Sequence, residues 1–585
     1  MNQVAHVNEH LSWDEGYRLK PRHIGGAVAF GVALVICWRA AEIRPGALLE
    51  PGTVTSVWAF VRGLFPPDLS PEFLRVATAA AAQTVAIALA ATLLSILIGL
   101  PLAVLATPTL WRRGVLLAGE RQGPERFLLS ALSRTSRALL GFLRAVPDLI
   151  WALLFVVAVG LGPLAGVLAL AVSYSAMLGR VYADVFEDVD QRALEALHAT
   201  GATRLQVFVY AIWPQAAASI TAYTIYSFEC CVRAASVLGF IGAGGIGYEI
   251  NLSMRMFEYH QVSTLIVTLV AVVAATDLVS RFLRRRVHAE ARAGSVAHQG
   301  FDAQRDYESR TTRTPRKIAI SLAVFALFAW SFYATGFLNG AFSDSAIPAR
   351  IVRFVSQMFP PDVDPSFLRS LGRPLLQTIG ISVMGTLIGI IVGVILSLPA
   401  AGILIFSEKD EAGQRRWSDR VFRWLTYGAA RLVLSLLRSI PELVWVLICI
   451  IAIGLGPFAG TLAIGVHTGG VLGKLYAETL EEAPAQPIEA LRAMGARRLQ
   501  ILLWGIWPQV KPTLVSYTVL RWEMNLRVAT ILGLVGGGGL GQAIYNNVQL
   551  AFYARVSTLI AIIYILVITT DWLSDRLRTR RVVFG

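Results

Sequence analysis

Hydrophobic positions in this chain come in long blocks separated by short polar stretches. A bilayer core takes about 20 apolar residues of helix. The first half offers such blocks at 24–40, 77–106, 138–160, 163–182, 215–239 and 261–280. The second offers them at 318–336, 371–405, 432–454, 457–476, 509–533 and 555–574. The pattern predicts an all-α membrane protein with about twelve spans, six in each half. The second block of each half is long enough to reach beyond the bilayer. Ahead of it, Val54–Leu64 predicts an amphipathic helix lying on the surface. Pro147 and Pro441 fall inside the third blocks and predict kinks there.

The two halves are copies. Leu64-Phe65-Pro66-Pro67-Asp68 recurs as Met358-Phe359-Pro360-Pro361-Asp362, and Gly160-Leu161-Gly162-Pro163 as Gly454-Leu455-Gly456-Pro457. Arg144 and Asp148 recur as Arg438 and Glu442, and Glu229 and Arg233 as Glu523 and Arg527. The offset is 294 residues in each case (438 − 144, for instance). Chance does not hold one offset over most of a chain. One place departs from it: Leu100-Pro101 matches Leu398-Pro399 best, which predicts a helix in the second half longer by about one turn. An even number of spans per half predicts a parallel repeat about an axis along the membrane normal. We divide the chain into a first unit at 1–280, a basic linker at 281–317 and a second unit at 318–585.

Composition narrows the class. The chain has 585 residues, of which 55% are hydrophobic and 15% charged. That is too little polar surface for a soluble enzyme of this length and too much hydrophobicity for disorder. The net charge of +14 is carried almost wholly by Arg, since Lys occurs only at 20, 317, 409, 474 and 511. Basic residues cluster in the loop 107–137, the linker and the tail after 575, which six spans per half place on one side. The bias of Arg and Lys makes that side the cytoplasm, with both termini there. No nucleic-acid partner is expected. Four cysteines in apolar surroundings, without a CxxC pair, predict neither disulfides nor zinc, and the eight His residues form no HExxH. Residues 1–23 lack the apolar core of a signal peptide.

Between the fourth and fifth spans lies Glu195-Ala196-Leu197-His198-Ala199-Thr200-Gly201, followed by Ile212-Trp213-Pro214. The second half carries Glu489-Ala490-Leu491-Arg492-Ala493-Met494-Gly495, followed by Ile506-Trp507-Pro508. The spacing predicts a short helix ending at a left-handed glycine, a second short helix, and a proline opening the next span. These paired elbows resemble the EAA loop of binding-protein-dependent ABC importer permeases. The Glu, Ala, Gly and Pro positions match; the third position is Leu, the Ile comes one place late, and Trp precedes the Pro. The resemblance implies that Glu195, Ala196, Gly201, Glu489, Ala490 and Gly495 couple to an ABC ATPase, one copy per elbow. The chain has no GxxxxGK[ST], so ATP and Mg belong to that partner and this chain holds no cofactor.

After the fifth spans come glycine runs, with Gly242, Gly244 and Gly245 in one and Gly536, Gly538 and Gly539 in the other. Arg521-Trp522-Glu523-Met524-Asn525-Leu526-Arg527, together with Gly465-Val466-His467-Thr468-Gly469-Gly470, resembles the phosphonate-importer permease family over nearly the whole of each half. The first half departs from it with Ser173-Tyr174-Ser175-Ala176, Arg180 and Cys230-Cys231. The resemblance implies a bacterial inner-membrane permease, without catalytic residues, for phosphonate or a similar small phosphorus oxyanion. It works by alternating access with two ATPase copies and an extracytoplasmic substrate-binding protein. A permease for methionine or another small organic solute is the nearest alternative. An ion-coupled secondary transporter is the alternative of another class, and the elbows argue against it.

Charges inside spans are functional candidates because they are costly there. Glu229–Arg233 and Glu523–Arg527 have the spacing of helical ion pairs. Counted from Pro214, they lie roughly 20–30 Å along the span, in the outer part of the bilayer. They fix packing or meet the oxyanion, for which the guanidinium fork is suited. Arg144–Asp148 and Arg438–Glu442 have the same spacing, and Arg144 is close enough to the cytoplasmic end to snorkel. His467 is either a hydrogen-bonded core residue or a ligand of the substrate. The glycine runs are flexible outer turns or re-entrant segments that close the path.

Overall fold

The structure is a computed structural model describing residues 21–108, 124–297, 303–337, 346–405 and 417–582. Much of the basic loop 107–137, part of the linker and the N-terminal segment lie outside the described residues. Those described are helical, with no strand among them. The first half comprises α1 (Pro21–Ala40), α2 (Pro51–Gly63), α3 (Pro71–Ala106), α4 (Pro124–Ala145) and α5 (Asp148–Val159). It continues with α6 (Pro163–Glu187), α7 (Gln191–Ala199), α8 (Trp213–Leu238), α9 (Ile246–Arg255) and α10 (Tyr259–Ala297). The second half repeats these as α11 (Ala303–Ala334), α12 (Ala346–Gln357), α13 (Gly372–Ala400), α14 (Trp417–Ser439) and α15 (Glu442–Ile453). Then follow α16 (Pro457–Glu481), α17 (Ala485–Ala493), α18 (Trp507–Leu532), α19 (Gly539–Gln549) and α20 (Tyr553–Val582). The polar 281–317 segment is thus largely the end of α10 and the start of α11.

Among the described residues, seven helical stretches are long and apolar enough to cross a bilayer, or nine if each bent pair counts as one. Two shorter apolar helices, Val28–Ala40 and Ser321–Ala334, stand at the first block of each half. α16 is not among the seven; its Gly465, Gly469, Gly470, Gly473, His467 and Lys474 dilute its hydrophobicity. The third block of each half is not one span. α4 and α5 meet at 87°, and α14 and α15 at 94°. Proline removes the helix donor and bars the preceding residue from helical geometry, so the expected kink becomes a full break. The carbonyls orphaned by the break find partners. Trp151 Nε1 donates to Leu143 at 3.4 Å, and Trp445 Nε1 to Leu437 at 3.1 Å.

The long helices α3 and α6, and their repeats α13 and α16, form the centre of each half. Small residues let the backbones approach. A Cβ at Gly389 would stand 2.6 Å from Thr468, and one at Gly469 2.6 Å from Val392. Such contacts pack helices without help from water. The same pairs correct the supposed slip. Gly99 packs on Gly179 as Gly393 packs on Gly473. Arg137 Nε donates to Ala106 as Arg431 Nε donates to Ala400. All keep the 294 offset, so α13 gains no turn and the Leu-Pro match is a coincidence of composition.

Tertiary contacts cross between the halves. α1 packs on α13 and α11 on α3; α2 packs on α15 and α12 on α5. The largest hydrophobic core accordingly draws on both halves, from Leu149 and Leu153 to Leu443, Val444 and Leu534. α2 exposes Val54 and Trp58 and buries Phe60, which meets Tyr259 edge-on at 5.0 Å. The loops after α2 and α12 are tied to α10 and α20. Thr264 donates to the Asp68 carbonyl and Thr558 to that of Asp362, both at 2.7 Å. The Ser70 backbone N–H holds the Asp68 carboxyl below its usual range. The Asp364 N–H, with Arg555 at 3.0 Å, does the same for Asp362.

Candidate translocation pathway and partner-facing elbows

The elbows stand at one end of the molecule. α7 ends before Gly201 (φ +82°) and α17 before Gly495 (φ +78°), the left-handed stops that the spacing predicts. Glu195, Ala196, Glu489 and Ala490 are exposed with their glycines, while Leu194 and Ile488 anchor the helices inward. A second short helix continues through a π-helical stretch, Phe208–Ile212 or Ile501–Ile506, into α8 or α18. Pro214 and Pro508 therefore sit in a continuous helix, and the wider π turn accommodates the missing donor. Apolar side chains stand bare on this end: Leu205, Tyr210, Met494, Leu499 and Trp504 are all at least 65% exposed. A grouped apolar surface of this kind marks an interaction site.

The charged pairs lie nearer the elbows than their count along the helix predicts. Arg233 Nη2 is 2.7 Å from Glu229 Oε1, and Arg284 Nη2 is 3.5 Å from Glu229 Oε2. Arg284 is about seven turns along α10 from Tyr259, in its basic end. Counting from Pro214 overstated the height because α8 begins in the projecting elbow. In the second half Arg527 donates to Asp571 at 2.7 and 2.8 Å and to Glu523 at 3.2 Å.

The helix breaks undo the other two expected pairs. Residues on either side of Pro147 or Pro441 no longer share a helix face. Arg144 reaches across to the other half, 3.5 Å from Asp571. Its counterpart Arg438 is exposed and makes no ion pair among the described residues. Glu442 turns instead to His467 Nε2 at 3.1 Å and Arg521 at 3.5 Å. His467 Nδ1 lies 3.1 Å from the Ile440 carbonyl, which the break leaves free. His467 is thus a buried, hydrogen-bonded residue. Beside it Thr468 donates to Asn525 Oδ1 at 3.0 Å, and Asn525 Nδ2 to Thr386 at 2.8 Å. The first half has Ser173, Tyr174, Ser227 and Cys231 at the positions of His467, Thr468, Arg521 and Asn525.

The glycine runs lie at the end opposite the elbows and are buried, tied turns. Gly242, Gly244 and Gly245 have φ of +97°, +80° and +75°; Gly536, Gly538 and Gly539 repeat these values. α9 then folds back on α8 so closely that a Cβ at Gly247 would stand 1.9 Å from the Ser236 carbonyl. At Gly541 the distance to the Thr530 carbonyl is 2.0 Å. The first amides of α9 donate to Gln83 and Thr84 at 2.7 and 2.9 Å. Those of α19 donate to Gln377 and Thr378 at 3.3 and 2.9 Å. A cavity of about 750 Å³ opens between the halves here. Leu149, Leu153, Leu447 and Ile450 of α5 and α15 line its apolar part, with Phe240 and Leu534 of the turns. α9 and α19 line its polar part.

Sequence reasoning missed α9 and α19, although their polar positions recur at helical spacing. It also left out Arg521 as a candidate, although a lone Arg within an apolar block is itself a signal.

Residues 114–291 and 415–583 match the family model described as binding-protein-dependent transport system inner membrane component. A phosphate-import permease protein, PhnE, of Mycolicibacterium smegmatis is 30% identical over 94% of this chain and 93% of its own length. A phosphite transport system permease protein, PtxC, of Stutzerimonas stutzeri is 34% identical over 45% of this chain and 87% of its own. A solved methionine ABC transporter in an inward-facing conformation aligns with 37% of this chain and 99% of its own at 22% identity and a TM-score of 0.31. Two copies of one family unit in a multi-pass chain make it a permease subunit and imply an ATPase and a binding protein as partners. The chain belongs to the binding-protein-dependent ABC importer permeases, as a fusion of two permease units.

Proposed function

We propose that this permease carries phosphonate or a similar small phosphorus oxyanion across a bacterial inner membrane. The observation that carries the reading is the likeness, along almost the whole fused chain, to a permease named for phosphate import. The intramembrane cations are compatible with it: Arg144, Arg233 and Arg527 stand within ion pairs, and Arg438 is exposed with no ion pair among the described residues. The elbow end faces the cytoplasm, by the bias of Arg in the linker and tail, so both termini are cytoplasmic. Two copies of an ATPase, holding ATP and Mg, grip the elbows at Glu195, Ala196 and Gly201 and at Glu489, Ala490 and Gly495. A substrate-loaded binding protein docks on the opposite face. The glycine turns with α5 and α15 form the outer gate, which apolar side chains line. Rocking of the halves about their shared core opens it.

The test is reconstitution in proteoliposomes with the ATPase and binding protein. ATP-dependent uptake of methylphosphonate, phosphite or phosphate is expected, and methionine uptake is not. Uptake of methionine instead would overturn the substrate class. Uptake driven by an ion gradient without ATP would overturn the coupling.

A further inference from the structure

The cavity between the glycine turns has a feature that no gate requires. Its wall on α9 presents Tyr248, Asn251 and Arg255, and its wall on α19 presents Gln542, Asn546 and Gln549. These are positions about one turn apart on each helix, so each forms a stripe along one face. Among the lining residues Arg255 is the one charged side chain, and none is an acid. Its Nε donates to Asn251 Oδ1 at 3.3 Å, which holds the guanidinium beside an amide rather than a carboxylate. The position equivalent to Arg255 in the repeat is Gln549, so the charge is on one side only.

We infer that this polar wall is a receiving site for a tetrahedral oxyanion at the outer mouth of the path. Arg255, held by Asn251, supplies the charge-assisted hydrogen bonds, and the amides of Gln542, Asn546 and Gln549 supply neutral donors. An anion leaving a binding protein needs donors before the gate opens, because the leucines and isoleucines beneath offer none. A lining without carboxylates leaves the Arg255 charge for the ligand. The one-sided charge suits a single small anion, since two facing guanidiniums would repel in the empty state. The inference rests on the oxyanion reading given above.

The experiment measures methylphosphonate uptake by the reconstituted complex at subsaturating loaded binding protein. Arg255→Gln gives α9 the residue that α19 already carries, so it is compatible with the fold. It is expected to lower uptake about 10-fold, the scale of a lost charged hydrogen bond. Docking of the binding protein and basal ATP hydrolysis should be unchanged. Adding Gln549→Arg to that variant moves the charge to the facing wall and should restore most of the uptake. Unchanged uptake by Arg255→Gln would overturn the inference while leaving the oxyanion permease intact. Docking that weakens as much as uptake would also overturn it, making Arg255 a contact for the binding protein. Failure of the unaltered complex to move any phosphorus oxyanion would instead overturn the underlying reading.

Discussion

The two halves share their scaffold and differ in the polar groups beside the helix break. Arg431 pairs with Glu481 at 2.7 Å as Arg137 pairs with Glu187. Tyr476 meets Thr518 as Tyr182 meets Thr224. The tryptophan bonds across the breaks and the capped glycine turns are likewise twofold. Beside the break the likeness ends. The second half joins the half-buried Glu442 and Arg521 and the buried His467 and Asn525 in hydrogen bonds and ion pairs, where the first has Asp148, Ser227, Ser173 and Cys231. Positions that hold helices together are fixed by geometry common to both halves. The positions beside the break differ, and the second half pairs its polar groups there among its own side chains.

The comparison can be broken first at the shared scaffold. Gly247→Ala and Gly541→Ala each place a Cβ within 2.0 Å of a backbone carbonyl. Each should cost more than about 4 kcal/mol and abolish folded protein, seen as loss of the monodisperse peak in detergent gel filtration. Survival of one variant but not its partner would show that the turns are not equivalent. The next effect separates the buried groups beside the breaks. Asn525→Leu removes two buried hydrogen bonds and should destabilise by about 2–3 kcal/mol in thermal unfolding. Cys231→Ala, at the same place in the first half, removes packing and a weak thiol contact to Thr92 and should cost about 1 kcal/mol. Gly201→Val and Gly495→Val come third. Nothing lies within 4 Å of either added Cβ, so the cost is the left-handed strain of about 1–2 kcal/mol. Folded protein should persist while co-purification of the ATPase falls, equally for both elbows. The smallest effect sharpens the contact between halves: Arg373→Ala deletes a 3.0 Å pair to Glu42 whose Arg side chain is 79% exposed. It should change stability by less than about 0.5 kcal/mol, and a larger change would mean that α1 docks through charge.

Much of this was legible in the sequence because it rests on local geometry. The elbow glycines, the helix breaks at Pro147 and Pro441 and the repeat all follow from single residues or from spacing. A proline tells where a helix stops but not the angle at which the chain resumes, so two near-perpendicular breaks read as kinked spans. The break also decides partners. Arg144 finds Asp571 in the other half, a contact that no spacing within one half could reveal. The height of Glu229 and Arg233 was misjudged because length along a helix gives depth only once the start of the helix is known. The crossing of α1 and α11 to the opposite halves left no trace, since an apolar helix surface does not name its neighbour.

That crossing makes each half an incomplete object. Without α11, one side of α3 would lie bare, and without α1 the same would hold for α13. Two first halves could fill each other's vacancies, but both walls of their channel would then carry the same residues. Joining the units in one polypeptide fixes the stoichiometry at one of each and rules out that symmetric product within a chain. Mutations on either wall can then accumulate without being imposed on the other. The shared tether thus allows the lining to diverge while the scaffold stays paired.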